Sequence, residues 1–151
     1  MDKFEALILR SGHPAEAQKN ARKELPFLLS RSNLRLWRPD DPIRADGIRF
    51  LVGIAVWSVY DMKLLDALDQ ALSATERSER VDVFDVNDCS TLECLENYVP
   101  QIGKIHHTPV VGLWQDGKQI NQQSGPVARE TIARHFGIDH KRLTTLPWID
   151  V

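Results

Sequence analysis

Three small groups of residues in this 151-residue chain could carry chemistry. Cys89 and Cys94 are its two thiols, and such a pair could exchange a disulfide or act as a redox switch. On a single helix their spacing would turn them about 140° apart around the axis. With Cys89 ahead of a helix that begins at Ser90, a bridge needs favourable loop geometry. The plainer alternative is one half-buried structural thiol and one incidental thiol. His106 and His107 stand just before Thr108-Pro109. Imidazoles bind metals and relay protons, but adjacent residues point in different directions and no third ligand stands out. In the stretch WSVYDMK, residues 57–63, Ser58 and Asp61 lie three apart between an apolar run and a helix-like segment. Ser58 as a hydrolytic nucleophile would need a base and an oxyanion hole, with His107 as the only plausible base. There is no phosphate-binding glycine loop and no dinucleotide glycine pattern. The expectation is no metal and no cofactor.

Composition frames these residues. The length fits one domain, and 42% apolar residues suffice for a core without disulfide staples. The net charge of −2 argues against a general nucleic-acid or membrane-surface binder. Charge is unevenly spread: residues 1–49 hold 10 basic and 7 acidic side chains, whereas residues 50–151 hold 9 and 14. The acidic surplus concentrates between Asp61 and Glu96. It reads as a solvated acidic face or, alternatively, as a surface on which the basic N-terminal part or a basic partner docks. The apolar run FLVGIAVW is too short for a membrane span, and MDKFEALILRSGH lacks a basic n-region. A cytoplasmic protein with reduced cysteines is expected.

The elements that must position these residues follow from periodicity. Residues 3–10 read as a short strand. AEAQKNARKEL reads as a helix behind Pro14, ended or kinked by Pro26. SNLRLWR (32–38) looks extended, and RPDDPIRADG (38–47) is a turn-rich connector. IRFLVGIAV is short, β-branched and almost wholly apolar, as a strand covered on both faces must be. In the next helix Leu64, Leu65, Leu68, Ala71 and Leu72 form one stripe, with Asp66, Asp69 and Gln70 away from it. VDVFDV (81–86) is a second buried strand, and STLE (90–93) opens a helix carrying Leu92, Leu95, Val99 and Ile102. Asp116-Gly117 joins TPVVGLWQ to KQINQQS as a tight hairpin. Gly125-Pro126 starts a last helix that Gly137 closes.

Several marks coincide in order. Trp57 sits between a buried strand and its helix, Thr108-Pro109 opens the hairpin strand, Asp116-Gly117 makes its turn, and Gly125 ends the last strand. In these respects residues 48–137 resemble the thioredoxin-like superfamily. The resemblance implies an α/β fold, a mixed central sheet with helices on both faces, and a cis-proline at Pro109. Residues 1–47 would then be an N-terminal extension packed on the domain, and 138–151 a C-terminal tail. Where the family carries its two redox cysteines, this chain has Ser58 and Asp61; Lys63 is retained one residue late. Val52 stands where the family keeps a buried acid. A serine cannot form a mixed disulfide, and Asp61 cannot resolve one. The helix N-terminus should hold Asp61 as a carboxylate.

The resemblance also implies a surface for extended peptide, because backbone beside the cis-proline pairs with a bound strand whether or not cysteine is present. That surface would comprise Trp57, Ser58, Tyr60, Asp61, Thr108, Pro109 and Gly125, with Trp57 and Tyr60 as aromatic anchors. The family's loop arrangement would also bring His106-His107 towards Asp61. Leu143, Leu146, Trp148 and Ile149 are too apolar for a free tail and should pack back or meet a second copy of the chain. The expected work is protein binding by an adaptor, chaperone-like factor or assembly subunit. The competing class is a thiol-disulfide oxidoreductase using Cys89 and Cys94.

Overall fold

The computed structural model describes residues 3–9, 14–37, 47–56, 58–74, 80–86 and 107–144. Strand β2, Ile48–Ile54, is buried along nearly its whole length, as its apolar sequence requires. It lies at the centre of a five-stranded sheet with β1 (Arg35–Leu36), β3 (Arg80–Asp85), β4 (Val110–Gln115) and β5 (Lys118–Ser124), in the order β1-β3-β2-β4-β5. The β1–β3 and β3–β2 pairs are parallel, while β2–β4 and β4–β5 are antiparallel. Asp116 and Gly117 turn the β4–β5 hairpin with φ of 50° and 81°, the positive values that a tight primed turn needs. Asp116 also ties the hairpin tip to the start of β2. Its N–H donates to the Gly47 carbonyl at 2.9 Å, and its Oδ1 accepts the Gly47 N–H at 3.0 Å.

Alternation along the strands separates two buried faces. Phe50, Val52, Ile54, Val81, Val83 and Val111 share one core with Leu64, Leu65 and Leu68 of α3 (Val59–Ala74) and with Ala128, Ile132 and Phe136 of α4 (Gly125–Phe136). The opposite face carries Leu51, Phe84, Trp114 and a buried ion pair, Arg49 with Asp82, in which Arg49 Nε donates to Asp82 Oδ2 at 2.7 Å. Gly53 lies beneath Phe84, where a Cβ would come within 2.5 Å of the ring. Gly137 closes α4 with φ of 70°, and the Ile138 N–H reaches the Ala133 carbonyl at 2.8 Å. Leu143, on the short helix α5 (His140–Thr144), is fully buried in the same core.

The N-terminal part departs from the sequence-based expectation. Residues 3–9 are not a strand but a helix, α1 (Lys3–Leu9). Phe4 and Leu7, spaced for a helix, enter the core. Asp66 caps this helix from a distance: its two oxygens accept the Phe4 and Glu5 N–H groups, each at 2.9 Å. Asp66 is therefore buried, not turned away from the apolar stripe. Helix α2, Pro14–Ser30, continues past Pro26 instead of ending there. Pro26 is exposed, while Leu25 and Leu29 anchor the helix on its inner side.

The acidic surplus is not merely a solvated face. Lys3 pairs with Asp69 at 2.9 Å and Arg22 with buried Asp85 at 3.2 Å, while Glu5 of α1 pairs in the opposite sense with Lys63 of α3 at 3.1 Å. Asn33 donates its backbone N–H to Asp69 at 2.7 Å. The basic N-terminal segment thus packs against acids of α3 and β3. The connector 38–46, the helix expected after Ser90 and the residues after Thr144 lie outside the described residues, and among the described ones no helix is long and apolar enough to cross a membrane.

Candidate functional site

The end of β2 turns into α3 through a capped loop. Ser58 donates its N–H to the Ala55 carbonyl at 2.9 Å, and its own carbonyl accepts the first helical bond from Met62 at 3.1 Å. Its Oγ accepts the Asp61 N–H at 3.3 Å. Ser58 is thus the N-cap of α3, a role its spacing from Asp61 made legible.

Asp61 behaves otherwise than expected. It does not lie at the surface beside the helix N-terminus but is fully buried, with Oδ2 accepting the Ala55 N–H at 3.0 Å. Burial raises its pKa from 3.8 to about 6. The Ala55 N–H, the Thr108 hydroxyl, the Arg129 charge and the Ser58 hydroxyl each draw it part of the way back. Its Oδ1 accepts no hydrogen bond of ordinary geometry among the described residues. Desolvation outweighs the helix terminus, so Asp61 cannot itself be a contact surface for a partner. It is a buried acid that titrates near neutral pH.

The hairpin entry lies beside it. The Thr108–Pro109 peptide bond is cis. The Pro109 carbonyl accepts the Gly125 N–H at 2.9 Å, which joins the loop to the start of α4. Gly125 has a φ of 70°, and a Cβ there would sit 3.0 Å from His107 Cβ, so both backbone and space favour glycine. One turn along α4, on the same side as Gly125, the Arg129 guanidinium lies 4.9 Å from the centre of the Tyr60 ring. Tyr60 is half-buried beneath it.

Ser58, Tyr60, Asp61, Thr108, Pro109 and Gly125 therefore meet in one place. Trp57, Cys89, Cys94 and His106 lie outside the described residues. His107 is exposed and is not among the groups that act on the Asp61 charge. Among the described residues no three His, Cys, Asp or Glu side chains form a ligand set for a metal. Sequence reasoning missed Arg129. Its spacing from Ile132 and Phe136 puts it on the apolar side of α4, and a lone arginine on that side was the signal.

A parallel β1-β3-β2 unit extended by an antiparallel hairpin, with a cis-proline at the hairpin entry and a glycine at its exit, decides the fold. The fold is thioredoxin-like. No family model matches the chain, and no curated protein sequence matches it. Solved structures do. Thioredoxin-2, a component of the malaria parasite protein secretion machinery, is 9% identical with a TM-score of 0.47, covering 70% of this chain and 94% of its own. ERdj5 is 19% identical with a TM-score of 0.46, and human ERp44 is 14% identical with a TM-score of 0.49; each covers 70% of this chain. This thioredoxin-like chain spans 13% of the ERdj5 chain and 29% of the ERp44 chain.

Proposed function

We propose that this thioredoxin-like protein binds an extended protein segment without exchanging electrons with it, as an adaptor, chaperone-like factor or assembly subunit. One observation carries the reading. Among the described residues, the Thr108 backbone N–H and C=O stand outside every strand pairing and turn hydrogen bond, at the mouth of a site bordered by Ser58, Tyr60 and Gly125. A half-exposed residue whose backbone donor and acceptor have no backbone partner among the described residues is what an added strand pairs with. Beside it, a capping hydroxyl and a buried acid stand in place of thiols, and neither can attack a disulfide sulfur.

The test uses the full chain with a photo-crosslinking residue at Tyr60 and a reduced, alkylated unfolded protein as probe. Crosslinking at Tyr60, absent from a control placed at exposed Lys141, is the expected result; equal labelling at both positions would count against the site. A disulfide-reduction assay runs alongside. Turnover that disappears in the Cys89→Ala/Cys94→Ala double variant would replace this reading with the oxidoreductase.

A further inference from the structure

We infer that the segment received at this site carries an acidic side chain, an Asp or Glu, which pairs with Arg129 behind the cis-proline loop. This rests on the peptide-binding reading above and names the chemistry of its partner.

The molecule contains its own comparison. Two arginines are buried to a similar degree, Arg49 with 7% and Arg129 with 9% of its surface exposed. Arg49 has Asp82 against it on the neighbouring strand, which is the ordinary way to keep a guanidinium out of water. Among the described residues Arg129 has no such partner. No carboxylate stands within ion-pair distance, no hydrogen bond satisfies its Nε, and its contact is the Tyr60 ring among the described residues. A ring face attracts the cation but accepts none of its N–H donors in the strong, directional way a carboxylate does. Asp61 acts on Arg129 through charge alone, and its Oδ2 is taken by Ala55. A desolvated cation with open donors is costly unless an anion completes it.

Position decides which anion. Arg129 lies one turn below Gly125, whose N–H holds the Pro109 carbonyl, and Thr108, whose backbone groups pair with no described backbone, is the next residue back. Successive side chains of a strand paired on Thr108 point to opposite sides, so one set projects towards Tyr60 and Arg129. An aspartate or glutamate there meets the guanidinium where no described residue does.

The experiment measures binding of extended, N-acetylated and C-amidated fluorescent peptides to the full chain by anisotropy. A polar host peptide carries Glu, Gln or Lys at each position in turn, and one further peptide carries a free C-terminus instead of Glu. Glu at one position is expected to bind about tenfold tighter than Gln there, with Lys weakest. Arg129→Gln should remove that preference, and Arg129→Lys should restore part of it. Measurable binding with no preference for Glu overturns the inference and leaves the peptide-binding reading standing. A preference that persists in Arg129→Gln, or that only the free C-terminus shows, also overturns it. No binding of any peptide overturns both. The Glu-to-Gln comparison on the unmodified protein needs no variant to fold.

Discussion

Asp61→Asn isolates the energetic consequence of burying an acid at the head of α3. The native pKa of about 6 stands against 3.8 for the ordinary group. Between these values the folded protein holds a proton that the unfolded chain has released, so stability falls as pH rises through the window. Below about pH 3.8 this group costs nothing; above about pH 6 the full penalty is present. The gap corresponds to about 3 kcal/mol, of which roughly half is already felt at pH 5. Asparagine keeps an oxygen for the Ala55 N–H and removes the charge. The variant should therefore gain roughly 1 kcal/mol on the parent between pH 5 and pH 7.5, and be the more stable of the two at pH 7.5. Asp69 titrates in the opposite sense. Burial raises its pKa, but Asn33 and Lys3 lower it further, and its stabilisation is lost as pH falls. It is present in both proteins and cancels. Urea unfolding at pH 5, 6 and 7.5 gives the two profiles. Profiles that run parallel across this range would refute the reasoning, because the penalty would then not arise from ionising Asp61.

Two further outcomes follow from charges placed inside the fold. Asp82→Ala leaves Arg49 buried without its partner and should cost about 3–5 kcal/mol in urea unfolding, whereas exchanging both residues for apolar side chains of similar volume should cost far less. Asp66→Ala removes the cap of α1 and should cost about 1–2 kcal/mol. Amide exchange should then quicken in residues 3–9 and remain unchanged in β2.

Much of the scaffold was legible because its signals are local. A β-branched run buried on both sides, an Asp-Gly turn and a glycine that closes a helix each express a backbone preference or a two-residue period. The misreadings share one cause. Residues 3–9 form a helix whose first N–H groups are taken by Asp66, far along the chain, and α2 continues past Pro26 with its neighbours on the inner side held by the core. No local pattern contains those partners.

The sequence alone determined that a buried β-strand leads into a helix whose start carries Ser58 and Asp61. Only the tertiary structure decided that Asp61 faces inward and titrates near neutral pH. It also decided that Arg129 comes to rest on Tyr60 beside the Thr108–Pro109 loop. Residue type fixes which charges a chain possesses, but their hydration and their neighbours are set by segments distant in sequence. A carboxylate or a guanidinium acquires its chemistry from both.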